Sequence, residues 1–157
     1  MNDTPHDRSI APGGLLLGIG LGGFFDGILL HQILQLHSML SAIYPNHDMA
    51  NMRTNMLADG IFHAFTWVAT LLGVALLWRA LAHRRDPAPR GKALIGWMLA
   101  GWGWFNLVEG MIDHHLLGLH HVVEALGVSA WDWAYLASGV VLIVVGHRLA
   151  RARRPEA

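Results

Sequence analysis

The chain has 157 residues, of which 54% are hydrophobic and 14% charged, with no net formal charge and no cysteine. Soluble domains carry about a quarter charged residues, so this is membrane-protein composition, and the length suits one compact bundle. The lack of cysteine excludes disulfides, thiolate catalysis, iron–sulfur clusters and zinc ribbons, and the balanced charge offers no basic field for nucleic acid.

Residues 1–12 carry Asp3, His6, Asp7 and Arg8 and lack the shape of a signal peptide, so the apolar run behind them is read as retained. That run predicts a first span over residues 13–44, ending before Pro45. Its stretch "GFFDGILLHQ" places Asp26 and His31 among leucine, isoleucine and phenylalanine. A loop follows that reads "HDMANMRTNM", with His47, Met49, Met52 and Met56. Spans over residues 56–81, 93–118 and 131–149 complete the chain. Each is near or above the roughly 20 residues that cross a bilayer as a helix, and strand alternation is absent. The expected fold is all-α, a single integral membrane four-helix bundle covering residues 1–157.

Positive charge sets the expected orientation. The second loop holds Arg84, Arg85, Arg90 and Lys92, and the tail holds Arg148, Arg151, Arg153 and Arg154. The first loop has only Arg53, and the third has no Lys or Arg. The positive-inside rule then puts both termini and the second loop in the cytoplasm. Trp131 and Trp133 fall at the outer interface.

With that orientation the ionisable residues share one layer. Asp26, His31 and His37 approach the outer surface on the first span. Asp59 and His63 begin the second. Glu109, Asp113, His114 and His115 lie in the outer half of the third, with His120 and His121 just beyond, and Asp132 starts the fourth. At 1.5 Å rise per residue, His31, His63 and Asp113 sit roughly 5–12 Å from the outer boundary. Helical faces refine the picture, because residues three and four apart share a stripe. Gly20, Gly23, Gly27, His31 and Gln35 form one stripe, Asp59, His63 and Thr66 another, and Gly103, Asn106, Gly110 and His114 a third. On an α-helix Asp26 lies about 140° from His31, which points to a supporting or packing role. Asp26-Gly27, Asp59-Gly60 and Glu109-Gly110 are acid–glycine pairs, each with a histidine four or five residues after the acid. This short echo suggests one acid and one histidine from each of three helices.

Ionisable groups in a span pair, line water or bind something, and carboxylates with imidazoles are transition-metal ligands. The expected ligands are His31, His63, His114, Asp59, Glu109 and Asp113. Asp26, Gln35, His37, Asn106, His115, His120 and His121 are expected to support them. The methionines at an outward mouth suit Cu(I), which favours copper narrowly over iron or zinc. His47, Met49, Met52 and Met56 would then form a metal-capture loop. A lone intramembrane His or Asp is as often a hydrogen-bond partner, and Met is a common gap-filler. The metal reading rests on the number of such groups in one layer.

"FFDGILLHQILQLH", "ADGIFHAF" and "NLVEGMIDHHLLGLHHV" together resemble a family of bacterial four-span predicted membrane proteins known as a domain of unknown function. The resemblance covers nearly the whole chain. It implies the four-span architecture and the acid–histidine motifs at Asp26, His31, Asp59, His63, Glu109, Asp113 and His114, and no activity. The functional expectation is a membrane metalloprotein, with a multinuclear copper site among the options, acting in redox chemistry or metal handling. The alternatives are a zinc-dependent membrane hydrolase and a haem protein held by His31 and His63. A proton-coupled transporter is disfavoured, since no polar route crosses the inner half. Expected partners are the bilayer, a periplasmic metal donor or acceptor, and a second copy of the chain.

Overall fold

The computed structural model describes residues 9–82 and 91–152. His6, His83, Arg84, Arg85, Arg90, Arg153 and Arg154 lie outside the described residues. The fold is all-helical, with four long helices. Helix α1 (Ala11–Phe25) begins with Pro12 in its first turn, where the missing N–H costs nothing. It runs without a break into a π-helical segment, Asp26–Ile33. Helix α2 (Met49–Ala82) is capped by Asp48, whose Oδ1 accepts from the amides of Ala50 and Asn51. Helix α3 (Gly91–Glu109) runs into a second π-helical segment, Gly110–Leu116. Helix α4 (Ala130–Arg151) starts at a capping box made by Ser129 and Asp132.

Ala11–Ile33, Met49–Ala82 and Ala130–Arg151 are each long and apolar enough to cross a membrane. The side chains are arranged for lipid. Trp78, Leu57, Ile61, Phe65 and Leu116 are exposed, while Asp26, His31, Asp59, Glu109, His114 and Asp132 are buried. Small residues carry the helix contacts, as close packing in lipid requires. Gly13 lies against Leu77 and Gly20 against Thr66 and Thr70, so α1 and α2 are antiparallel neighbours. Gly96 lies against Ala150 and Gly103 against Ile143, so α3 and α4 are likewise antiparallel. Gly14 against Trp97 and Gly22 against Trp102 make α1 and α3 a parallel central pair. The polar layer and both long loops, residues 34–48 and 117–129, lie at the end where α1 and α3 finish.

The two halves repeat each other. Gly18 meets the carbonyl of Met98, and Gly101 meets that of Leu15. Leu34 N–H bonds to Leu29 O as Leu117 N–H bonds to Ile112 O, both 2.8 Å, and Leu36 to Leu30 as Leu119 to Asp113. The only positive φ values among the described residues are at Gln35, Gly118 and Gly127, and Gln35 (51°) and Gly118 (57°) hold the same place after each π segment. The loops also bond to each other, Ala42 N–H to Leu119 O and Glu124 N–H to Leu36 O, each 3.1 Å. These pairings relate α1–α2 to α3–α4 by a pseudo-twofold axis between α1 and α3. The sequence echo is thereby corrected: Asp26 corresponds to Glu109, but Asp59 corresponds to Asp132 and is no third member of that series.

Candidate metal centre

The π segments build the site. An α-helix would separate Asp26 from His31 by more than a third of a turn. The wider π turn, bonding i to i+5, brings residues five apart together. Asp26 Oδ2 therefore lies 3.1 Å from His31 Nε2, and Glu109 Oε1 lies 3.0 Å from His114 Nε2. The separation expected from the helical wheel does not hold, and Asp26 faces the centre.

The helix then ends, and the left-handed turn at Gln35 or Gly118 returns the chain over the bundle. It delivers His37 and His120, which stack with ring centroids 4.5 Å apart and an interplanar angle of 6°. His37 Nδ1–H donates to Val122 O (3.1 Å), and His120 Nδ1–H donates to Met39 O (3.0 Å). A carbonyl only accepts, so these bonds fix the hydrogen on Nδ1 and turn Nε2 inward. His37 Nε2 is buried with no hydrogen-bond partner, and burial pushes this imidazole down to about 2, which keeps it neutral with a free lone pair. His120 Nε2 lies 2.9 Å from Glu109 Oε1. With Nδ1 donating to Met39 O, both atoms of that contact bring lone pairs, so a proton shared between them or a metal ion beside them must join them.

Carboxylates hold the other two histidines from outside. Asp59 Oδ1 accepts from His31 Nδ1 (3.0 Å) and from the amide of Met39 (2.8 Å). Asp132 Oδ1 accepts from the amide of Val122 (3.0 Å) and lies 3.1 Å from His114 Nδ1. That second contact has ion-pair distance without hydrogen-bond alignment, and the same is true of His114 Nε2 on Glu109. Three imidazoles, His31, His37 and His120, thus have Nδ1 tied outward by hydrogen bonds, and His114 Nδ1 lies at ion-pair distance from Asp132. Outer acceptors of this kind orient metal-ligating histidines. The donor atoms of His31, His37 and His120 lie within 4.8 Å of one another, as do those of Glu109, His114 and His120. With metal–nitrogen bonds of about 2.1 Å, neighbouring donors on one ion stand about 3.0 Å apart at octahedral angles and about 3.4 Å at tetrahedral ones, and the contacts around Glu109, 3.0 and 2.9 Å, lie near the shorter value. Glu109 Oε2 is buried and has no hydrogen-bond partner.

Other expected site residues fall elsewhere. His63 is outside both donor groups; its ring stacks on Phe24 at 6.2 Å beside Gly27. Asp113 is half-buried and lines an apolar cavity. Asn106 Nδ2 donates to Ser138 Oγ (2.9 Å). His115 packs on Trp133, ring centroids 4.7 Å apart, and His121 Nδ1 stands 3.7 Å from Asp132. Asp132 was legible only as a polar residue at the start of a span. Its capping position, three after Ser129, was the signal for its amide bonds.

Two cavities reach the centre. One, of about 660 Å³, opens among the loops and is lined by His31, His37, Gln35, His47, Met52, Met56 and Asp59. Met49 does not line it and is exposed. The other, of about 320 Å³, is almost wholly apolar and runs between Phe62, Phe65, Trp104 and Phe105 to Glu109 and Asp113. The pseudo-twofold counterpart of this second cavity is filled, because Trp102 packs on Gly22 and Phe25.

No curated protein and no solved structure matches the chain. Residues 13–153 match the family described as "Predicted membrane protein (DUF2243)", so this multi-pass, all-helical chain belongs to that family of predicted membrane proteins of unknown function.

Proposed function

We propose that the chain is a membrane metalloprotein that holds a first-row transition metal between its helix ends and uses it in redox chemistry or metal handling. One observation carries this reading: His31, His37 and His120 have Nδ1 hydrogen-bonded to outer acceptors, His114 Nδ1 stands 3.1 Å from Asp132, and the Nε2 atoms of His31, His114 and His120 face Asp26 or Glu109. Unpaired lone pairs and carboxylates packed together in a buried site are costly unless a proton or cation sits among them. The proposed ligands are Asp26, His31, His37, Glu109, His114 and His120, with Asp59 and Asp132 orienting two of the imidazoles.

The donors are imidazole and carboxylate, which copper, iron and zinc all accept. The thioethers that favoured copper line the loop-side cavity instead, where Met52, Met56 and His47 suit capture and delivery from a donor protein. The apolar cavity at Glu109 suits a lipid-soluble substrate for a redox ion. It also supports the second reading, a zinc hydrolase acting on lipid, with Asp113 as base. The haem reading loses support, since His31 lies between two carboxylates and His63 packs on Phe24 outside both donor groups.

Among the described residues Arg79, Lys92, Arg148 and Arg151 lie at the end opposite the centre, and Arg53 at the near end. This supports an inner-membrane chain with cytoplasmic termini and an outward-facing site. Elemental analysis of detergent-purified protein tests the function. Stoichiometric copper, iron or zinc is expected, and a folded preparation that takes up none of the three overturns it.

A further inference from the structure

The donors come in two sets that correspond in sequence, with His120 within reach of both. Asp26, His31 and His37 stand in the first half in the same order and spacing as Glu109, His114 and His120 in the second. Each set has its own π segment, and each first histidine has its own orienting carboxylate, Asp59 or Asp132. The second histidines are held crosswise. Val122 in the second loop fixes His37, and Met39 in the first loop fixes His120.

We propose that the centre is dinuclear, with one ion held mainly by Asp26, His31 and His37 and the other by Glu109, His114 and His120. The proposal rests on the metal reading above and adds the number of ions. A single ion on the axis would have to bind His37 and His120 together. Their rings are stacked nearly parallel, and an imidazole lone pair lies in its ring plane. Stacked rings aim their lone pairs along separate planes, so each ring serves its own ion. Around the second ion, Glu109 Oε1 stands 3.0 Å from His114 and 2.9 Å from His120, a carboxylate with two imidazoles on one face of a coordination sphere. Around the first, Asp26 and His31 are 3.1 Å apart, and the donors of His31 and His37 are within 4.8 Å of each other. Glu109 Oε2 is buried without an aligned hydrogen bond, and the Tyr135 hydroxyl interacts with the same carboxylate.

The test loads full-length protein in detergent with Cu(II), Fe(II) or Zn(II), each alone, and measures tightly bound metal per chain. Two ions per chain are expected for at least one of these metals. His31→Ala and His114→Ala should each halve the content, and the double variant should hold none. Circular dichroism and size exclusion check the fold of each variant. Should an alanine variant misfold, the near-isosteric Asp26→Asn and Glu109→Gln read the same quantity. One ion in the parent, lost equally in either single variant, overturns the dinuclear centre and leaves the metal function standing. No ion in folded parent protein overturns both.

Discussion

At the level of single residues, the identity of the polar groups was readable and their roles were not. His31, Glu109 and His114 were expected near a metal and stand at the centre. His63 was expected there too, on the strength of its spacing from Asp59. Its ring packs on Phe24 instead, and the histidine partnering Asp59 is His31, from the π segment that follows α1. His37 and His120 were placed in the outer periphery, and nothing in their spacing shows that a left-handed turn folds them back. The pseudo-twofold axis pairs His63 with Leu136 and Tyr135 with Phe62. Tyr135 packs against His114 at 5.3 Å as Phe62 packs against His31 at 5.8 Å. Each half therefore shows what the other tolerates. His63→Leu and Tyr135→Phe copy the counterpart residue, and both variants should keep the metal content of the parent in elemental analysis. Loss of half the metal in His63→Leu would restore His63 as a ligand.

Whole elements were more legible. Apolar runs of spanning length marked the helices, because length and hydropathy are what the bilayer selects. The first helix stops at Ile33, short of the Tyr44 end expected from apolar content. Apolarity does not distinguish a helix from a buried loop that crosses the bundle end. The π segments were not legible either, since a helical wheel assumes one pitch throughout. That assumption moved Asp26 off the face it occupies. The central contact between α1 and α3 depends on Gly18 and Gly101, where a side chain would run into the carbonyls of Met98 and Leu15. Gly18→Leu or Gly101→Leu should destabilise the bundle by about 1–3 kcal/mol, the usual range for overpacking. A thermal melt in detergent checks this. Gly60, with open space where its Cβ would stand, should accept alanine with no such loss.

At the level of the molecule, four helices and one polar layer were apparent from composition and charge. The repeat was only half apparent, because short acid–glycine pairs also occur outside it, as Asp59-Gly60 does. Orientation remains a matter of charge and is directly measurable, since a chain with no cysteine accepts single labels without background. Ile43→Cys and Leu126→Cys, both on exposed positions at the loop end, should react with a membrane-impermeant maleimide on intact spheroplasts. Lys92→Cys should react only after permeabilisation. The reverse pattern would turn the site toward the cytoplasm. The parallel relation of the two halves carries a historical consequence. A hairpin of two spans begins and ends on the same side of the bilayer, so joining two copies head to tail requires no inversion of either. One hairpin paired with its twin would already set both acid–histidine trios around a shared axis. A two-span homodimer of that kind would carry the site at its subunit boundary. Tyr135 opposite Phe62, like Trp102 packed on Gly22 and Phe25 where the other half leaves an apolar cavity, is a difference that one chain can hold and a symmetric homodimer cannot.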